Sequence, residues 1–172
     1  EYIMEGEKFT NTSMSIKALL GLIAANDIAI PEIQRPFVWK RAQVRDLMDS
    51  LYKGYPTGYI ILWKNPDVKL KDGRLSAGKK IVIDGQQRIT AMMTAISGHS
   101  VLDGDFNKSQ IKIAFNPFAA LDYENNNNEE SEIFAVQTPA HIKSKTWIPD
   151  ISEIFDTKFS SWTFIPQYLQ DN

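Results

Sequence analysis

Three stretches of the chain place apolar residues at i, i+3, i+4 and i+7, the spacing that lines one face of an α-helix. The first is Ile16, Leu19, Leu20 and Ile23, with Thr12 and Ser13 before it as candidate N-caps. The second is Val44, Leu47, Met48 and Leu51, with Gly54 as its stop and Pro56 beyond. Ile89, Met92, Met93 and Ile96 form the third, followed by Gly98. A stripe of this kind packs a helix onto a core, and that is the role assigned to all three. Short apolar runs between them predict strands at 28–30, 59–63, 80–83 and 111–115. Tyr59-Ile60-Ile61-Leu62-Trp63 is apolar without alternation, as in a strand covered on both faces, so it is expected at the centre of the sheet. Turn residues at Asn65-Pro66-Asp67 and Lys71-Asp72-Gly73 predict an exposed connection over 65–79.

Beyond Phe115 the pattern weakens. Residues 122–132 include four consecutive asparagines among acidic residues and read as a mobile loop. A strand at 133–136 and a short helix at 150–155 are the only elements predicted after it. These elements imply an α+β fold, with a small mixed sheet flanked by helices. A core domain over 1–120 would be followed by 121–172, a polar loop and the start of a further segment. The chain opens on Glu1 rather than Met and ends just after an aromatic-rich stretch, so the natural polypeptide is expected to continue.

Composition narrows the chemistry. The 172 residues carry 19 basic and 21 acidic side chains, a formal net charge of -2, which is not the general positive field of a dedicated nucleic-acid binder. Local contact with DNA remains open at Lys64, Lys69, Lys71, Arg74, Lys79 and Lys80, where the same charges equally serve solubility. The absence of cysteine excludes disulfides, thiolate nucleophiles and zinc-thiolate sites, and suits the cytoplasm. No apolar run approaches the roughly 20 residues that span a bilayer, so no membrane partner is expected. His99 and His141 stand apart and are not read as metal ligands.

The chemistry concentrates in Ile81-Val82-Ile83-Asp84-Gly85-Gln86-Gln87-Arg88-Ile89-Thr90, an apolar strand running through Asp-Gly into the third helix. Free N–H groups and the positive end of the helix dipole make such a junction suited to an anion such as phosphate. Gly85 permits close approach, Arg88 offers a bidentate fork, Asp84 is placed to hold Mg2+ through water, and Gln86 or Gln87 to orient a ribose, a base edge or an attacking water. The plain structural alternative is that Asp84 caps the helix and Gly85 eases a turn. A second polar pair, Gln34-Arg35, lies between Pro31 and Pro36, which hold it out of helical conformation. Phe37 and Trp39 after it read as core anchors.

Three motifs in order, Ile30-Pro-Glu-Ile-Gln-Arg-Pro-Phe-Val-Trp39, Gly54-Tyr-Pro-Thr-Gly58 and Val82-Ile-Asp-Gly-Gln-Gln-Arg-Ile-Thr90, resemble the N-terminal domain of GmrSD-type restriction proteins, over roughly residues 12–120. The resemblance implies a ParB/sulfiredoxin-like fold and a module that binds, and in several members hydrolyses, a nucleoside triphosphate with Mg2+. It further implies DNA restriction in antiphage defence, with cleavage by a C-terminal HNH-type nuclease domain. On that likeness Asp84, Gln86 and Gln87 are the catalytic candidates and Asp84 the metal ligand. Gln34, Arg35, Gly85, Gln87, Arg88 and Thr90 are the nucleotide-binding candidates. The alternatives are a non-hydrolytic switch that senses nucleotide or modified DNA, and a ParB-like nuclease. DNA contact through the full-length protein and a homo-oligomer complete the expected partners.

Overall fold

A computed structural model describes residues 9–30, 36–64, 79–102 and 107–172. Within them the order is α1 (Ile16–Ala24), β1 (Ile28–Ala29), α2 (Arg41–Tyr52), β2 (Ile61–Lys64), β3 (Lys80–Asp84), α3 (Gln86–Ile96), β4 (Val101–Leu102), β5 (Lys108–Ser109), β6 (Ile113–Phe115), α4 (Pro117–Asn126), β7 (Phe134–Val136), α5 (Pro139–Lys143), α6 (Ser152–Phe155) and α7 (Ser161–Asp171). The fold is mixed α/β, as the pattern of periods predicts.

The three amphipathic stretches are helices. Ser15 rather than Thr12 or Ser13 caps α1, its hydroxyl accepting from Ala18 N–H at 3.2 Å. At the other end Asn26 takes the left-handed conformation (φ 66°) and Asp27 N–H reaches back to Leu22 O at 2.9 Å. Gly54 (φ 72°) closes α2 in the same way, with Tyr55 N–H donating to Ser50 O at 2.8 Å. These bonds satisfy carbonyls that a helix end otherwise leaves open.

The main sheet has the order β1-β3-β2, with β1 parallel and β2 antiparallel to β3. The central strand is therefore β3, and the apolar 59–63 run supplies an edge strand on which Ile61 and Trp63 are exposed. The run is apolar throughout, but only Ile60 and Leu62 pack on the core. Two further antiparallel pairs, β4-β5 and β6-β7, complete the strands described. Ile28 and Val82 from the sheet, Val44, Leu47 and Met48 from α2, Ile89 and Met92 from α3, and Ile113, Ile133, Phe134 and Ile151 from the later elements form one buried cluster. Phe37 belongs to this cluster, whereas Trp39 only packs against it.

The first part of the stretch predicted as a mobile loop is helical. Residues 122–126 finish α4, which starts at Pro117 under a cap from Asn116 Oδ1 to the N–H groups of Phe118 and Ala119. The Asp122 carboxylate then accepts from Asn126 Nδ2 (2.7 Å), Asn128 Nδ2 (2.7 Å) and Ser131 Oγ (2.8 Å). Asparagines that read as low complexity are donors to one carboxylate. The 65–79 connection lies almost entirely outside the described residues. Among the described residues no helix is long and apolar enough to cross a membrane.

Candidate functional site

The central strand hands over to α3 at Gly85, whose left-handed conformation (φ 93°) reverses the chain within one residue. A side chain is disfavoured there by the positive φ, and its Cβ would stand 3.2 Å from Ile60 Cδ1, which would have to give way. Gly85 is also the N-cap of α3 and offers no side chain to cap the first helical N–H groups, on Gln86, Gln87 and Arg88. Asp84 does not cap the helix. It pairs instead with Arg88, Oδ2 to Nη2 at 3.2 Å, across one turn.

The Arg88 guanidinium is held from two sides, since Nη1 also donates to Thr57 O at 2.7 Å. That contact depends on Gly58, also left-handed (φ 86°), where a Cβ would lie 2.6 Å from Nη1. Arg88 is nonetheless not sealed away: its side chain keeps 19% exposure, against 66% for Asp84, and it forms part of the wall of a cleft of about 1130 Å³. The cleft runs between the Phe9–Ile16 segment, α1 and β2, and includes Thr57, Gly58, Lys64 and Lys80.

Both glutamines contact backbone groups. Gln86 Nε2 donates to Val82 O at 3.0 Å. Gln87 spans to the 36–38 segment, Oε1 accepting from Val38 N–H and Nε2 donating to Pro36 O, both at 3.2 Å. Thr90 is half-buried in the second turn of α3, outside the cleft. Gln34 and Arg35 lie outside the described residues. The structure thus brings Asp84, Gly85, Gln86, Gln87 and Arg88 together at one turn, with Arg88 alone of them reaching the cleft. Among the described residues no group of three or more His, Cys, Asp or Glu side chains gathers in a metal-binding arrangement.

Sequence reasoning did not anticipate Thr57 and Gly58 as the seat of Arg88, nor Lys64 and Lys80 as walls of the same cleft. The signal for the first was present: two glycines within Gly54-Tyr-Pro-Thr-Gly58 announce backbone that must turn left-handed or lie close to something.

Fold and junction together describe a small mixed α/β domain organised about a strand-to-helix turn. The chain belongs to the family described as GmrSD restriction endonuclease, N-terminal domain, which it matches over residues 16–168. It is also 28% identical, over 106 aligned positions, to an uncharacterized protein of Methanocaldococcus jannaschii; the alignment takes in 49% of this chain and 17% of that relative.

Proposed function

We propose that this chain is the nucleotide-binding regulatory module of a longer DNA-restriction protein, a polyphosphate docking at the start of α3. The observation that carries this reading is the combination at one turn of three helix N–H groups without a side-chain cap and an arginine fork held on a cleft wall. In this reading Arg88 contacts the phosphate, and the exposed Asp84 is the residue that would hold Mg2+, which would offset the polyphosphate's charge. The remainder of the longer protein supplies DNA cleavage, through a C-terminal nuclease domain, and the module reports nucleotide state to it.

Binding coupled to a conformational switch is favoured over turnover by the glutamines. Gln87 has both ends of its side-chain amide on backbone groups and Gln86 has its Nε2 on one, which leaves only the Gln86 Oε1 to orient a water. Gln87, in contrast, ties the first turn of α3 to the 36–38 segment, so a ligand that moves this turn moves that segment too.

Calorimetric titration with each of the four common ribonucleoside triphosphates and Mg2+, together with phosphate-release assays, tests the reading. At least one triphosphate should bind and raise the melting temperature, and Arg88→Lys should weaken that binding by about 1.5–3 kcal/mol as the charge-assisted fork is lost. Lysine retains the charge and can still reach Thr57 O, which limits structural damage. If no triphosphate binds or shifts the melt, the nucleotide reading falls; if one binds without phosphate release, the switch stands and the hydrolase does not.

A further inference from the structure

At the end of the β2-β3 ladder away from Arg88, Lys64 lies directly opposite Lys80. Directly opposed residues share a face with Cβ atoms about 5 Å apart, and like charges in that relation destabilise a sheet. Both lysines are exposed and, among the described residues, neither enters an ion pair. An anion between them would turn repulsion into binding. Both line the cleft whose wall also contains Arg88, beside Asp84 at the other end of β3. From Lys80 to Asp84 the strand spans five residues, which at the usual rise separates the two cationic poles by roughly 13 Å.

That separation selects the ligand. A nucleoside triphosphate concentrates its charge at one end and occupies one pole, whereas a single strand of nucleic acid bears a phosphate on every nucleotide and meets both. The cleft, at about 1130 Å³, is slightly larger than the usual small-molecule range, which ends near ~1,000 Å³. Phe9, Tyr59 and Trp63 contribute to its walls, the first two 81% and 76% exposed, and exposed aromatic rings beside cations are the surfaces on which unpaired bases stack. With a net charge of -2 the attraction is local to these groups. We propose that the cleft takes a single strand of nucleic acid laid along β2, one backbone phosphate held between Lys64 and Lys80 and a further one at Arg88. The lysine pole stands independently of the nucleotide reading; the Arg88 pole shares a residue with it.

The test is fluorescence anisotropy with a labelled DNA oligonucleotide of about 12 nucleotides, within the size range of single-strand sites, beside a hairpin duplex of the same sequence. The 172-residue chain should bind the single strand more tightly than the duplex. The double variant Lys64→Gln/Lys80→Gln should lose about tenfold or more in affinity at low salt, and its log–log salt slope should flatten by about 0.7, one phosphate contact on a single strand. Its melting temperature should hold or rise, because a like-charge pair has gone. Undiminished affinity in the double variant, equal affinity for duplex, or no binding by the wild type at low salt would overturn the proposal. Triphosphate titration of the same variant separates the two readings. Retained triphosphate binding with lost strand binding supports the lysine pole; joint loss means that the lysines serve the nucleotide and defeats it. Strand binding that depends on the lysines, in a protein that binds no triphosphate, supports this proposal and defeats the nucleotide reading alone.

Discussion

Gly58 and Arg88 are a matched pair: the guanidinium occupies the space that a side chain at position 58 would need, and its bond to Thr57 O fixes it there. Gly58→Ala therefore imposes a side chain on a left-handed residue and pushes Nη1 from its seat, for a loss of about 1–3 kcal/mol in unfolding free energy. Urea denaturation measures it, and a variant as stable as the wild type would show that the arginine shifts without cost. The same geometry explains why the Asp84-Arg88 pair contributes little by itself. Asp84 is mostly solvated, and an ion pair of that exposure is worth about 0.2–1 kcal/mol. Asp84 is therefore a carboxylate whose release from Arg88 would leave the turn standing.

Between residue and fold, the elements divide by how many residues must cooperate to define them. The first three helices were legible because each puts several apolar side chains into one core, and a period of 3.6 survives in the sequence. Helix α4 was not, since Ala120 is its one buried residue and its start is set by Asn116 and Pro117 rather than by a stripe. Strand β2 was recognised but misplaced, because an apolar run cannot say whether both of its faces are covered. At the site the Asp84–Arg88 loop was legible as a strand-to-helix junction, while the seat of Arg88 depends on a contact across 31 positions that no local pattern encodes. The polar tract illustrates the same limit and yields a pH prediction. Hydrogen bonds from Asn126, then Ser131 and Asn128, hold the Asp122 carboxyl below its ordinary value of 3.8. A lowered folded-state value means that the contribution is fully present above that ordinary value and is lost as pH falls through the lower, folded one. The melting-temperature gap between wild type and Asp122→Asn should thus be constant near neutrality and close only below about pH 3.8. A gap that stays the same down to about pH 2 would assign the order of this tract to something other than the charged carboxylate.

At the scale of the molecule the deciding feature is that one core is shared by early and late elements. The β6-β7 ladder pairs Ile113–Phe115 with Phe134–Val136, so it crosses residue 120, where the sequence reading set a domain boundary. Ile133, Phe134 and Ile151 lie in the same buried cluster as Val44, Val82 and Ile89. Ile133 is 1% exposed, and truncation to alanine there should cost about 2–5 kcal/mol, the range for an isoleucine lost from a packed interior. The consequence for cooperativity is sharper than the magnitude. If the early and late elements are separate units, Ile133→Ala weakens only the later one and the melt splits in two, the strand-to-helix turn outlasting the rest. A shared core instead moves one transition as a whole, with calorimetric and van't Hoff enthalpies that remain equal. Scanning calorimetry of this variant should give the single shifted transition. The turn that holds Arg88 should then be lost together with the late elements on heating, because it is supported by the same core that Ile133 fills.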